Sequence, residues 1–286
     1  MMREIRRLIC GIAIAGFAQT ALAADVGYSP EFFHPGPATY FNWSGFYFGV
    51  SGGGGVADAD FGSRARMVLN TLLAGVLPVA NPGTLGPLVT DLGPDNAGFS
   101  SFGAFVGYNT QFESAVLGIE ANYHHTWLDA SATASATGIT ISPGPNPGPV
   151  AGGLNPITWT NTVSMTSIID LNDYATLRGR LGWAYGTFMP YATLGVAIGR
   201  ADITNAARLQ YVGTFPGGIP AGSGDLRLDE IKRDEFAVGY EFALGFDWMI
   251  MSGLFLRAEY EFVKFAKFGD RDLSLNVGRA GLGYKL

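Results

Sequence analysis

Val277–Leu286 reads VGRAGLGYKL and alternates without a break. Ala280, Leu282, Tyr284 and Leu286 are apolar, while Arg279, Gly281, Gly283 and Lys285 are small or charged. A period of two is the pattern of a β-strand with one face in an apolar medium. The strand runs to Leu286 with no polar tail behind it, where a soluble domain usually frays. The expectation is a closing strand whose partner lies far back in the chain.

Seven more segments share the period. Their apolar faces are Phe46–Phe48–Val50, Phe102–Ala104–Val106–Tyr108, Leu117–Ile119–Ala121–Tyr123, Ala175–Leu177–Leu181–Trp183, Ala192–Leu194–Val196–Ile198, Phe236–Val238–Tyr240–Phe242–Leu244–Phe246 and Leu254–Leu256–Ala258–Tyr260–Phe262. Short connections join segments two and three (TQFES), four and five (186–190) and six and seven (247–253). The connections at 61–96, 130–168 and 203–232 are long, and that at 264–272 is shorter. An even strand count with short turns at one end and long loops at the other is the outer-membrane barrel pattern. The fold class expected is all-β: an eight-stranded, antiparallel, transmembrane up-and-down β-barrel with short periplasmic turns and long extracellular loops.

Composition agrees. Charged residues are 15% of the 286, against about 25% for an ordinary soluble domain, while aromatics are 13% and glycines number 41. No run of about 18 apolar residues offers a spanning helix, which leaves a closed barrel as the way through a bilayer. Arg3, Arg6 and Arg7, the apolar stretch Leu8–Ala18 and Ala21-Leu22-Ala23 have the order of a cleaved secretory signal. The expected organisation is a signal at 1–23, a Pro-containing periplasmic leader at 24–42 and the barrel at 43–286. Cys10, the one Cys, lies in the signal, so the exported chain has no disulfide or thiolate site. A net charge of −6 disfavours nucleic acid as a partner.

With the apolar faces toward lipid, the alternate residues face the lumen. They include Glu120, Asn122, His124, Thr176, Arg178, Arg180, Tyr191, Thr193, Glu241, Arg257, Glu259, Glu261 and Arg279. Four Glu and four Arg make a balanced set, as buried charges must be paired. Eight strands enclose a lumen that side chains fill, so the set reads as a structural polar network, with a narrow water or ion path as the alternative. Gly103, Gly107, Gly118, Gly195, Gly239 and Gly245 are expected to leave room for the Arg chains. Trp43, Phe46, Tyr47, Trp183, Tyr185, Trp248 and Tyr284 are expected on the periplasmic aromatic rim, with Trp127 and Phe262 on the outer one.

Catalytic chemistry finds little support. His34, His124 and His125 are the only histidines, and the adjacent pair points to opposite faces of a strand. GGGG at 52–55 lacks the Lys-Ser/Thr and the helix of a phosphate loop. No catalytic residue, cofactor or metal ligand is expected; a lipid-modifying barrel enzyme is the minority alternative. ARMVLNTLLAGVLPVA (65–80) is helix-like up to Pro78, and fits a cap over the barrel mouth or an interfacial segment. SPGPNPGPVAGG (142–153) reads as a mobile Pro/Gly loop.

WSGFYFGVSGG (43–53), LRGRLGWAYGTFMPYATLGVAIG (177–199) and GRAGLGYKL (278–286) resemble the signature segments of a small outer-membrane β-barrel family. Its members are termed outer-membrane immunogenic or porin-family proteins, with an OmpA-like β-barrel domain. The resemblance spans 43–286 and implies a barrel in the outer membrane of a Gram-negative cell, with no implied reaction. The function expected is structural, with surface loops serving envelope integrity, antigenicity or adhesion; a low-conductance channel is the alternative. Expected partners are outer-membrane lipid and lipopolysaccharide, and the protein is expected to be monomeric. The insertion machinery is expected to read the C-terminal strand, here Ala280, Leu282, Tyr284 and Leu286. The family usually ends in Phe where this chain has Leu286.

Overall fold

The structure, a computed structural model, describes residues 41–61, 64–74, 92, 95–145, 154–268 and 271–286. The signal and most of the leader lie outside them. Eight strands are formed: β1 Gly45–Asp60, β2 Asp95–Phe112, β3 Ala115–Pro145, β4 Leu154–Trp183, β5 Phe188–Phe215, β6 Ile219–Met249, β7 Leu254–Phe268 and β8 Arg271–Lys285. Among the described residues a helix, α1 Arg64–Ala74, follows β1. Each strand pairs antiparallel with its neighbours in sequence, and β1 pairs with β8 from Tyr47↔Lys285 to Asp60↔Asp272, closing the ring. The Leu286 N–H donates to the Phe46 carbonyl at 2.9 Å, so the terminal residue is held in the ladder. Closure leaves no edge at this seam.

Around the lower ring the apolar faces point outward. Ile119, Leu177, Leu194 and Phe242 are exposed on the outer surface, while Glu120, Arg178, Thr193 and Glu241 beside them are buried in the lumen. Trp183, Tyr185, Trp248, Phe46 and Tyr284 lie on the outer surface near the short turns, and Trp127 lies outward near the other end.

A strand needs about 9–11 residues to cross a bilayer, yet β3, β4 and β6 have 31, 30 and 31. The stretches 130–168 and 203–232, expected as loops, are strand for most of their length: β3 pairs β4 up to Pro145↔Leu154, and β5 pairs β6 up to Phe215↔Ile219. The second hairpin turns on Gly217 and Gly218, at φ 85° and 81°, a backbone region costly for other residues. Pairing of β2 with β3 stops at Ser100↔Trp127, and of β6 with β7 at Gly239↔Phe265. Beyond those points β3–β6 continue as a four-stranded sheet. Of the Pro/Gly segment, Ser142–Pro145 belongs to β3 and 146–153 lies outside the described residues.

The polarity of the sheet inverts along its length. Inward residues of β3 run Glu120, Asn122, His124, Thr126 and then Leu128 and Ala130; outward residues run Leu117 to Trp127 and then Asp129, Ser131, Thr133 and Ser135. β5 repeats this, with Ile198 outward in the lower part, Gln210 outward above, and Ile203, Ala207 and Leu209 inward above. The membrane band is therefore apolar outside around a layer of inward polar residues, and the upper sheet is built like a water-soluble one. On the upper outer face Thr133 and Thr166 hydroxyls meet at 3.1 Å, as do Thr137 and Thr162. Arg208 forks onto Asp225 at 2.8 and 2.5 Å, which holds the Asp225 carboxyl below its ordinary range.

Helix α1 covers the apolar inner face of the upper sheet. Ala65, Val68, Leu69 and Leu73 share one buried cluster with Phe61, Leu92, Met165, Ile169, Ile203 and Leu209. The helix ends at Ala74; the rest of the apolar run from 75 lies outside the described residues. Of the two roles open to it, α1 takes that of a cap: its i, i+4 pairs Ala65–Leu69 and Leu69–Leu73 face the sheet.

Candidate functional site

Among the described residues, the lumen below α1 gathers chemistry-bearing side chains from all the strands, and its end near the short turns is apolar. Trp43, Val116, Met189, Met249 and Phe255 form a buried cluster there with Tyr47 and Phe105. The Trp43 indole donates to the Gly186 carbonyl at 3.1 Å and its backbone N–H donates to Gln111 Oε1 at 2.7 Å, stapling the entry of β1 across the opening. Trp43 and Tyr47 were expected on the aromatic rim; both are 2% exposed and lie inside. An alternating pattern tells which residues share a face, but Trp43 precedes the first strand and turns inward with the chain, and Tyr47 has odd parity and a polar tip that reaches the charges above.

The charged layer comes next, centred on Glu120. Arg178 donates to Glu120 Oε1 through Nε at 3.0 Å and Nη2 at 2.6 Å, to Glu241 Oε1 through Nη1 at 2.9 Å, and to Glu259 Oε2 through Nη2 at 2.7 Å. Arg257 Nη1 donates to both Glu120 oxygens at 3.0 and 2.9 Å, and its Nε to Asp247 Oδ1 at 2.9 Å. Arg180 also donates to Asp247, and its guanidinium sits 3.7 Å from the Tyr191 ring centroid. Phenols complete the carboxylates: Tyr47 donates to Glu120 at 2.7 Å, Tyr191 to Glu259 at 2.8 Å, and the Thr193 hydroxyl to Glu241 at 2.9 Å. Higher up, Arg279 donates to Glu261 and to the Tyr174 hydroxyl, which itself donates to Glu261 at 3.0 Å. Asn122 donates to Thr176 Oγ1 at 3.2 Å.

All thirteen residues read from the sequence as lumenal are buried; of the nine assigned to the polar network, Glu120, Arg178, Arg180, Glu241, Arg257 and Glu259 meet around Glu120, Glu261 pairs with Arg279 higher up, and Asn122 pairs with Thr176. Asp247 was missed. It was assigned to the short turn, but it continues the odd inward series Glu241, Ala243, Gly245, and that parity was the available signal. The glycines act more locally than expected. A Cβ on Gly195 would press on Arg178, but Gly103 faces His124, Gly118 faces Asn109, and Gly107 and Gly245 face the hydroxyls of Tyr47 and Tyr191. Gly239 faces the backbone of β7. The room is made for rings as much as for arginines.

His124 is buried with its ring tilted against Tyr174 at 5.1 Å, His125 is outward against Trp127, and Ser101 and His124 share no hydrogen bond. Among the described residues no group of three or more His, Cys, Asp or Glu is arranged to hold a metal ion. Above the apolar band, Asp129, Asp170 and Asp202 are direct cross-strand neighbours on β3, β4 and β5. Partial burial first, and the flanking Asp129 and Asp202 second, push the Asp170 carboxyl up.

Among solved structures the chain is similar to the attachment invasion locus protein Ail of Yersinia pestis, at 11% identity over 84% of this chain and 99% of that one, with a TM-score of 0.30. Neisserial surface protein A gives 11% identity, 85% and 98% coverage and a TM-score of 0.30. The translocator domain of the autotransporter NalP from Neisseria meningitidis gives 9%, 87% and 91%, and 0.27. A search of curated proteins gives no match. A scan against protein families matches residues 12–285 to the outer membrane protein β-barrel domain, nearly the whole chain. The closed ring, its apolar outer band and this match agree: the chain belongs to the outer membrane protein β-barrel domain family, and its home is the outer membrane.

Proposed function

We propose that this protein is a sealed structural barrel that carries a folded extracellular sheet, serving envelope integrity and presenting a surface for recognition, as an antigen or in adhesion. The observation that supports it most is the lumen. An apolar cluster from Trp43 to Phe255, the paired charges around Glu120 and the apolar core under α1 are stacked along the axis. Charges held in bidentate pairs are costly to part, so the layer acts as a stopper and as a device that selects one arrangement of eight strands. On this reading residues 1–23 direct export and are removed. The partners are outer-leaflet lipid and lipopolysaccharide, together with the insertion machinery that takes hold of the last strand. No catalytic role is assigned: among the described residues the lumenal Ser101 and His124 share no hydrogen bond.

Planar-bilayer recording on the purified, folded protein separates this from the channel reading. The expected record has no steady unit conductance at moderate voltage. Reproducible unitary steps that scale with salt would overturn the sealed barrel.

A further inference from the structure

The outer face of the upper sheet carries a groove of about 260 Å³ that crosses β4, β5 and β6. Its floor is Ala206, which lies between Thr204 and Arg208 along β5 and between Thr166 and Asp229 across the strands. Ser164, Thr166 and Ile168 of β4 form one wall, and Arg227 of β6 stands at the other. Arg208 and Arg227 are direct cross-strand neighbours, an arrangement that like charges resist. Each is neutralised by its own carboxylate: Arg208 forks onto Asp225, and Arg227 Nε donates to Asp229 Oδ1 at 2.8 Å. The groove is therefore rich in charged groups and close to neutral.

We propose that this groove binds one neutral hexose residue of a polysaccharide, from the cell's own surface or from another cell. The chemistry of the walls supports it. Among the described residues, Arg208 Nη1 and both Nη atoms of Arg227 have no protein acceptor, and they face the groove as donors. The hydroxyls of Ser164, Thr166 and Thr204 both donate and accept. Ala206 and Ile168 supply an apolar patch. A pyranose ring offers the complement, with hydroxyls at its rim and C–H groups on its face. An anion is a poorer match, because Asp225 and Asp229 stand beside the two guanidinium groups. Height excludes lipid headgroups. Ala206 lies eight residues beyond Ile198, where the apolar band of β5 ends, or about 20 Å above it for a tilted strand. Headgroups occupy only about 5–8 Å on each side of a bilayer. The inference rests on the surface-recognition part of the proposed function and deepens it.

The test uses the full chain folded in a detergent without sugar, with the methyl groups of Ala and Thr isotope-labelled. The probes are the methyl α-glycosides of glucose, galactose and mannose. At least one should shift the methyl signals of Ala206, Thr166 and Thr204 saturably at millimolar concentration. Ala206→Leu fills the floor and should weaken that binding about tenfold or more. Arg227→Gln should weaken it as well, and the cold-gel shift of both variants should stay as in the wild type. Three results would each overturn the proposal: no saturable shift with any glycoside, unchanged binding by Ala206→Leu, or sodium sulfate shifting the same methyls at lower concentration than the sugars. Oligosaccharide released from the producing strain's lipopolysaccharide and lactose-type chains of animal cells are then titrated. Binding of either supports the site and identifies its source; binding of neither overturns the polysaccharide assignment. Conductance does not enter this readout, so a failed sugar site and a failed sealed barrel are told apart.

Discussion

Arg178→Leu should leave the barrel largely unfolded in detergent, seen as loss of the heat-modifiable band on a cold gel and a fall in the urea midpoint. Arg178 binds Glu120, Glu241 and Glu259 at once, at 2.6, 2.9 and 2.7 Å. Removing one member of a buried ion pair costs about 3–5 kcal/mol, because the partner is left charged and unsolvated. Here three carboxylates lose a donor together. Folded domains hold only about 5–15 kcal/mol in total, so the loss is comparable with the whole stability. Arg178→Lys should recover only part of it. An ammonium keeps the charge but lacks the planar fork that reaches three acceptors. A wild-type midpoint for Arg178→Leu would show that the lumenal network is not what holds the strands in register.

The second large effect is expected at the other end. Leu69→Asp should free α1 from the upper sheet while leaving the lower ring closed. Leu69 is fully buried in the centre of the helix face, between Ala65 and Leu73. Truncation of a buried Leu alone costs about 2–5 kcal/mol, and an unpaired carboxylate in that position adds to it. Limited proteolysis should therefore cut the α1 region and the upper hairpins of the variant within minutes, while the cold-gel shift persists. Unchanged cleavage would mean that α1 does not cap the sheet. Loss of both signals would mean that the two halves fold as one unit.

The contrast between these two sites shows what the sequence made legible. The lower ring was readable because its contrast is strong, Leu177 and Leu181 alternating with Arg178 and Arg180, and because the even strand count and the alternation of short and long connections turn the apolar face to lipid. The upper hairpins escaped because water reverses the contrast and weakens it. On β3 the alternation is Ser131, Ala132, Thr133, Ala134, Ser135, Ala136, small residues of similar size, and the apolar member now faces inward. Long polar stretches were therefore read as loops although their period of two persisted. Trp43 and Tyr47 were misplaced for a related reason. Aromatic residues suit both a membrane rim and a lumenal stopper, and only the path of the chain decides. Glu120, Arg178, Arg180, Glu241, Arg257 and Glu259 come together around Glu120, and Glu261 meets Arg279 above them, because parity turns each of them inward, whereas Asp247 was lost to an assumption about where β6 ends.

The central claim is that one continuous sheet passes from lipid into water with its polarity reversed. Spin labels on a single strand face test it most directly, and Cys10 is the only native cysteine in the sequence. Labels at Val196→Cys and Gln210→Cys would lie on the same outward face of β5, one below Arg200 and one above it. In reconstituted bilayers the account predicts that the label at 196 is reached by oxygen and shielded from a water-soluble nickel chelate, and that the label at 210 behaves the opposite way. Equal exposure of both labels to the chelate, or equal shielding of both, would contradict it.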